Sequence, residues 1–200
     1  MAGELHPQER GWLTQPQRVA RNVAWIQDRL QGVPLGGLRH VIALKGCADA
    51  GKTSVLKCLI DELYRRDPQS WIGRMAFDPA RVAVENGHGE YQGAFMYRGV
   101  RIAVNTRGDD KESIVGCFKC FAAYRVSIGV TAVRCHAVGS RPIDMEHVYA
   151  EFCSAYDFHC HEIAMPVGRR LRTRDAEMEV VQQIIARLDE LVAALRTGDR

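Results

Sequence analysis

Residues 46 to 53 read Gly46-Cys47-Ala48-Asp49-Ala50-Gly51-Lys52-Thr53, and Ser54 follows. A glycine, four residues and then Gly-Lys-Thr is the spacing a backbone loop needs to close around a phosphate. The glycines permit the angles that turn successive N–H groups inward. Lys52 is placed to reach the β- and γ-phosphates of a nucleoside triphosphate, and the Thr53 hydroxyl to serve as a Mg2+ ligand. A helix starting at Lys52 would add the positive end of its dipole. Cys47, Ala48, Asp49, Ala50 and Ser54 complete the residues expected to touch the nucleotide.

The elements needed to position this loop are legible around it. Residues 41–44 form a short apolar run between turn signals, which predicts a buried strand. Val55, Leu56, Leu59, Ile60 and Leu63 mark one face of a helix from residue 52 to about 66. Val19, Val23, Ile26 and Leu30 predict an amphipathic helix over 15–30. Strands are expected at 71–77, at 91–96 and 100–104 as a hairpin around Tyr97-Arg98-Gly99, at 126–133 and at 163–167. Asn86-Gly87 is a further turn signal. Helices are expected at 111–124 and 142–155, with a long one closing the chain after a basic loop at 169–174. The implied fold is α/β: a mainly parallel sheet covered on both faces, with an antiparallel hairpin at one edge. The expected division is an N-terminal helical extension at 1–37 and a nucleotide-binding domain at 38–200.

The loop and its flanks, over about residues 39–66, resemble the P-loop NTPase superfamily, whose three-layer fold the chain is then expected to share. The resemblance implies a second half of the site, an acid at a strand end that holds Mg2+ through water. Here the strand at 100–104 leads into Asn105-Thr106-Arg107-Gly108-Asp109-Asp110. Preceded by a hairpin, that stretch is similar to the Asp-x-x-Gly turn of Ras-like G domains, which implies that Gly108 touches the γ-phosphate. Asn105 stands where the acid belongs, so Asp109 or Asp110 is the substitute. Arg107 is then placed to neutralise charge in the transition state. Thr106, Gly108 and Asp109 also resemble a turn of small bacterial ATP-binding proteins. Asp78 stands where small-molecule kinases often orient an acceptor hydroxyl or bind metal; a plain Asp-Pro turn is the alternative. The Asn-Lys-x-Asp guanine reader is replaced by Arg134-Cys135-His136, so ATP is the expected nucleotide, with GTP left open. Arg169, Arg170, Arg172 and Arg174 could stack on a base or form a solvated loop.

Cys117-x-x-Cys120 and His159-Cys160-His161 offer countable zinc ligands, yet the first pair lies in an apolar helical pattern. Buried, reduced cysteines are the simpler expectation. Seven cysteines at irregular spacing speak against a secreted disulfide framework and for a reducing cytoplasm. A net charge of +3 is too small to indicate nucleic acid. No run of 18 apolar residues predicts a membrane span. Three functions stay open. The first is an ATPase or nucleotide switch acting on a protein partner or a second copy of the chain. The others are a small-molecule or nucleotide kinase and a module that binds nucleotide without hydrolysing it.

Overall fold

The computed structural model describes residues 15–47, 50–72, 92–106, 108, 110–135, 145–166 and 173–198. The first helix, α1, spans Gln15–Arg29 and turns Val19, Val23 and Ile26 inward. Strand β1, His40–Gly46, is an apolar run extended into the loop motif. Helix α2, Lys52–Arg66, follows it directly and buries Val55, Leu56, Leu59, Ile60 and Leu63. This is the face the spacing predicts, and truncating one such side chain to alanine costs roughly 2–5 kcal/mol.

The hairpin is β2, Gln92–Tyr97, and β3, Val100–Asn105. Its turn residues Arg98 and Gly99 have φ of 48° and 80°, the left-handed pair that a two-residue turn between twisted strands requires. Helix α3 is Lys111–Tyr124 and β4 is Ile128–Arg134. Helix α4, Met145–Ala155, precedes β5, His159–Ala164, and α5, Arg174–Thr197, closes the fold.

The five strands lie in the order β2-β3-β4-β1-β5. All neighbours are parallel except β2, which runs antiparallel to β3 at one edge. Helices cover both faces. Residues of α1, α3 and α4 pack on one side around Phe118, Tyr149 and Phe152. Those of α2 and α5 pack on the other, around Leu59, Ile184 and Leu188. The side chains of α1 thus share a core with α3 and α4.

The last strand begins earlier than its sequence suggests. The apolar residues at 163–167 point to a strand there, but β5 runs from His159, opposite His40, to Ala164. It is an edge strand that hydrogen-bonds only to β1 among the described residues, and several of its side chains reach solvent. An apolar run is therefore a poor guide to its start. Of the strand expected at 71–77, Trp71 makes a single antiparallel bridge to Phe95, and residues from 73 onward, including the Asn86-Gly87 turn, lie outside the described residues. Among the described residues, no helix is long and apolar enough to cross a membrane.

Candidate functional site

The topology singles out one crevice. The chain leaves β1 into α2, on the face shared with α5, and leaves β4 into α4, on the opposite face. Neighbouring parallel strands whose chains depart to opposite faces open a cleft at their carboxyl ends, where open α/β sheets bind ligands. The 46–53 loop starts at the end of β1, and the paired end of β4 is Arg134, followed by Cys135.

Within the loop, Gly46 and Gly51 are required by different constraints. A Cβ on Gly46 would sit 2.9 Å from Cβ and Cγ of Met165, whose N–H donates to the Lys45 carbonyl at 2.7 Å. Gly51 has φ of 93° and is the N-cap of α2, and no side chain caps the helix there. The first turn of a helix carries N–H groups without intrahelical acceptors, so this end can receive an anion. In α3 and α5 the comparable ends are capped by Asp110 and Thr173.

Lys52 is 6% exposed, and its ammonium donates to the carbonyls of Gly46 at 2.9 Å and Cys47 at 2.8 Å. It thus lies folded over the loop it belongs to. Thr53 and Ser54 occupy the first turn of α2, both half-buried, and Ala50 N–H donates to the Cys47 carbonyl at 3.3 Å. Ala48 and Asp49 lie outside the described residues.

The second expected half of the site is placed differently from the loop. Strand β4 runs between β3 and β1, so the end of β3 lies about 10 Å from β1, two strand spacings away. Asn105 is fully buried opposite Thr131, and the Cys117 thiol of α3 hydrogen-bonds to Thr131 on the same face. Gly108 is pressed on β4: a Cβ there would overlap the Ala132 carbonyl. Arg107, Asp109 and Asp78 lie outside the described residues, as do Arg169, Arg170 and Arg172, while Arg174 opens α5.

Sequence reasoning missed a charged group on the other flank. Lys45, just before the loop, has a side chain 14% exposed and forms ion pairs with Glu146 in the first turn of α4 and with Glu162 of β5, the latter at 2.9 Å. Burial opposes the charge on Lys45, but the two glutamates outweigh it and raise its pKa. Lys45 in turn holds the Glu146 carboxyl below the ordinary range. The Cys135 N–H donates to the Gly46 carbonyl at 3.0 Å, and its thiol hydrogen-bonds to Glu146. Burial, then Glu146, pushes that thiol up to about 11, against the pull of Lys45 and Lys52. A carboxylate therefore stands beside the loop, on a thiol near Lys52. No local pattern announces it, because the pairing depends on which strands become neighbours.

The Cys117-x-x-Cys120 pair and the histidines of β5 do not converge. Cys117 and Cys120 are buried thiols of α3, raised by desolvation, Cys120 to about 11. Cys160 hydrogen-bonds to Cys153 of α4 on that same side of the sheet. His159 and His161 point to the opposite face. All seven cysteines are free thiols. No family model, no curated protein and no solved structure matches the chain.

Proposed function

We propose that this chain is a P-loop NTPase with the three-layer fold of that superfamily. In this reading it binds ATP with Mg2+ and hydrolyses it, acting as an ATPase or nucleotide switch on a protein partner. One observation carries the reading: an unbroken G-x-x-x-x-G-K-T run joins a buried strand to an uncapped helix at the crevice where the sheet's connections diverge.

The chemistry follows from the residues. A triphosphate entering the loop offers Lys52 anionic oxygens in place of the Gly46 and Cys47 carbonyls, and charge-assisted bonds are the stronger ones. The α2 N-terminus adds N–H donors and its dipole. Thr53 would ligate Mg2+, which would neutralise charge developing on the phosphates. Catalysis of phosphoryl transfer is mostly positioning and charge stabilisation, so the few polar groups at the crevice suffice in kind. Seven free thiols suit a reducing cytoplasm.

The test is ATP binding and turnover in Lys52→Ala and Thr53→Ala. Loss of charge-assisted bonds worth about 3 kcal/mol predicts ATP affinity weaker by about 100-fold for Lys52→Ala. Thr53→Ala should lose the Mg2+ dependence. Wild-type binding and turnover in Lys52→Ala would refute the reading. Turnover that appears only with an added hydroxyl acceptor would assign the same site to a kinase instead.

A further inference from the structure

Three histidines gather on the α5 side of the sheet, at the end of the strands remote from the 46–53 loop. His40 opens β1, and His159 opens β5 directly opposite it. His161, two residues on, points to the same face. His40 Nδ1 stands 3.2 Å from His161 Nε2. The His40 ring centroid lies 5.3 Å from that of His159 and 5.3 Å from that of His161.

The geometry points to a transition-metal site of the zinc class, in which His40 and His161 supply two imidazole nitrogens and His159 turns to supply a third. Two nitrogens bound to one tetrahedral zinc at about 2.0–2.1 Å stand about 3.3–3.4 Å apart. The observed 3.2 Å is close to that separation before any metal enters. In the metal-free protein the same contact is a hydrogen bond sharing one proton between neutral rings. On metal binding that proton moves to the outer nitrogen of its ring, so both inner lone pairs face the metal.

As the rings stand, two nitrogens converge and no group of three among the described residues encloses an ion. The third ligand is the mobile part of the proposal. His159 is exposed and its ring stacks on that of His40, so turning it toward the metal exchanges that one contact for a ligand bond. Neutral imidazole is the metal-binding form. An imidazole donor set selects zinc, copper or nickel over magnesium or calcium. Arg39 and Arg187 oppose a divalent cation, and Glu190 is already paired with Arg187 at 2.7 Å. A micromolar site is therefore expected, and it would tie the edge strand β5 to β1. It does not depend on nucleotide binding.

The experiment titrates untagged full-length protein with Zn2+ by calorimetry and with Co2+ by visible absorption. The wild type should bind about one equivalent of Zn2+ with a Kd of about 1–10 μM. Its Co2+ form should show the intense d–d bands of four-coordinate cobalt without a thiolate charge-transfer band. His40→Asn with His161→Asn should abolish both signals. His159→Asn, at an exposed ring, should weaken Zn2+ about tenfold. Lys52→Ala should bind Zn2+ as the wild type does. Failure of the wild type to bind Zn2+ below about 1 mM, unchanged affinity in His159→Asn, or a thiolate band marking the cysteines as ligands would each overturn the site.

Discussion

Replacing Gly108 by alanine separates two reasons for a glycine at that position. In a γ-phosphate turn, the glycine would serve the nucleotide. In the structure it serves packing, because an added Cβ would lie 2.6 Å from the Ala132 carbonyl carbon and 3.5 Å from Thr131 Oγ1. The obstacle is the backbone of β4, which is hydrogen-bonded between β3 and β1 and cannot yield alone. Overpacking costs about 1–3 kcal/mol where side chains can adjust, so a backbone obstacle places Gly108→Ala near about 3 kcal/mol. At about 2–4 °C per kcal/mol for a chain of this size, melting should fall by about 6–12 °C. Gly116→Ala is the control. It lies within α3 with nothing within 4 Å of the new methyl. There alanine should gain about 0.8–1.0 kcal/mol of helix propensity, raising the melting point by about 2–4 °C. Thermal and urea melts of both variants, with ATP affinity measured well below the transition, decide the matter. Gly108→Ala within about 1 kcal/mol of wild type would refute the packing argument. Loss of ATP binding at unchanged stability would return the glycine to the phosphate.

Lys45→Met removes the cation between Glu146 and Glu162 and should cost about 1–2 kcal/mol at pH 7 by urea melts, between the values for exposed and buried pairs. Because Lys45 lowers the Glu146 pKa below its ordinary 4.5, this stabilisation is full above that value and disappears as pH falls through the folded-state pKa. The gap between variant and wild type should therefore close in acid. Glu62 has a side chain 8% exposed and accepts from Arg66 at 2.8 Å and Arg65 at 2.9 Å, and Arg66 holds its pKa down. Glu62→Gln should accordingly flatten the acid limb of the stability profile below pH ~4.5 while leaving the profile above pH 7 parallel to wild type. Asp110→Ala deletes the cap that accepts from Ser113 N–H at 2.6 Å. It should destabilise the protein by about 1 kcal/mol in the same melts.

Elements whose structure follows from local periodicity were legible in the sequence. The helix at 111–124 matches α3 to the residue, because Ile114, Val115, Phe118 and Phe121 keep one face and Asp110 caps it. The helix after the loop and the hairpin with its Arg98-Gly99 turn were equally plain. Strand order was not, since local patterns do not encode which strand inserts between two others. For that reason β4 was not expected between β1 and β3, and the Lys45–Glu146 and His40–His161 pairs went unseen although every residue in them was in view. The start of β5 was missed because His159 to Glu162 read as polar, and only the register against β1 makes them a strand.

The position of β1 has a consequence for how the protein is made. Its partners β4 and β5 lie roughly 90 and 120 residues further along the chain, which is a long-range closure and a slow one. At about 5–20 residues per second, a ribosome finishes β4, the first of these partners, roughly 4–18 s after it has finished β1. For that interval Val41 to Leu44 are synthesised but have no partner strand to pair with. The crevice at the carboxyl ends of β1 and β4 is thus formed late, when the second half of the chain closes on the first.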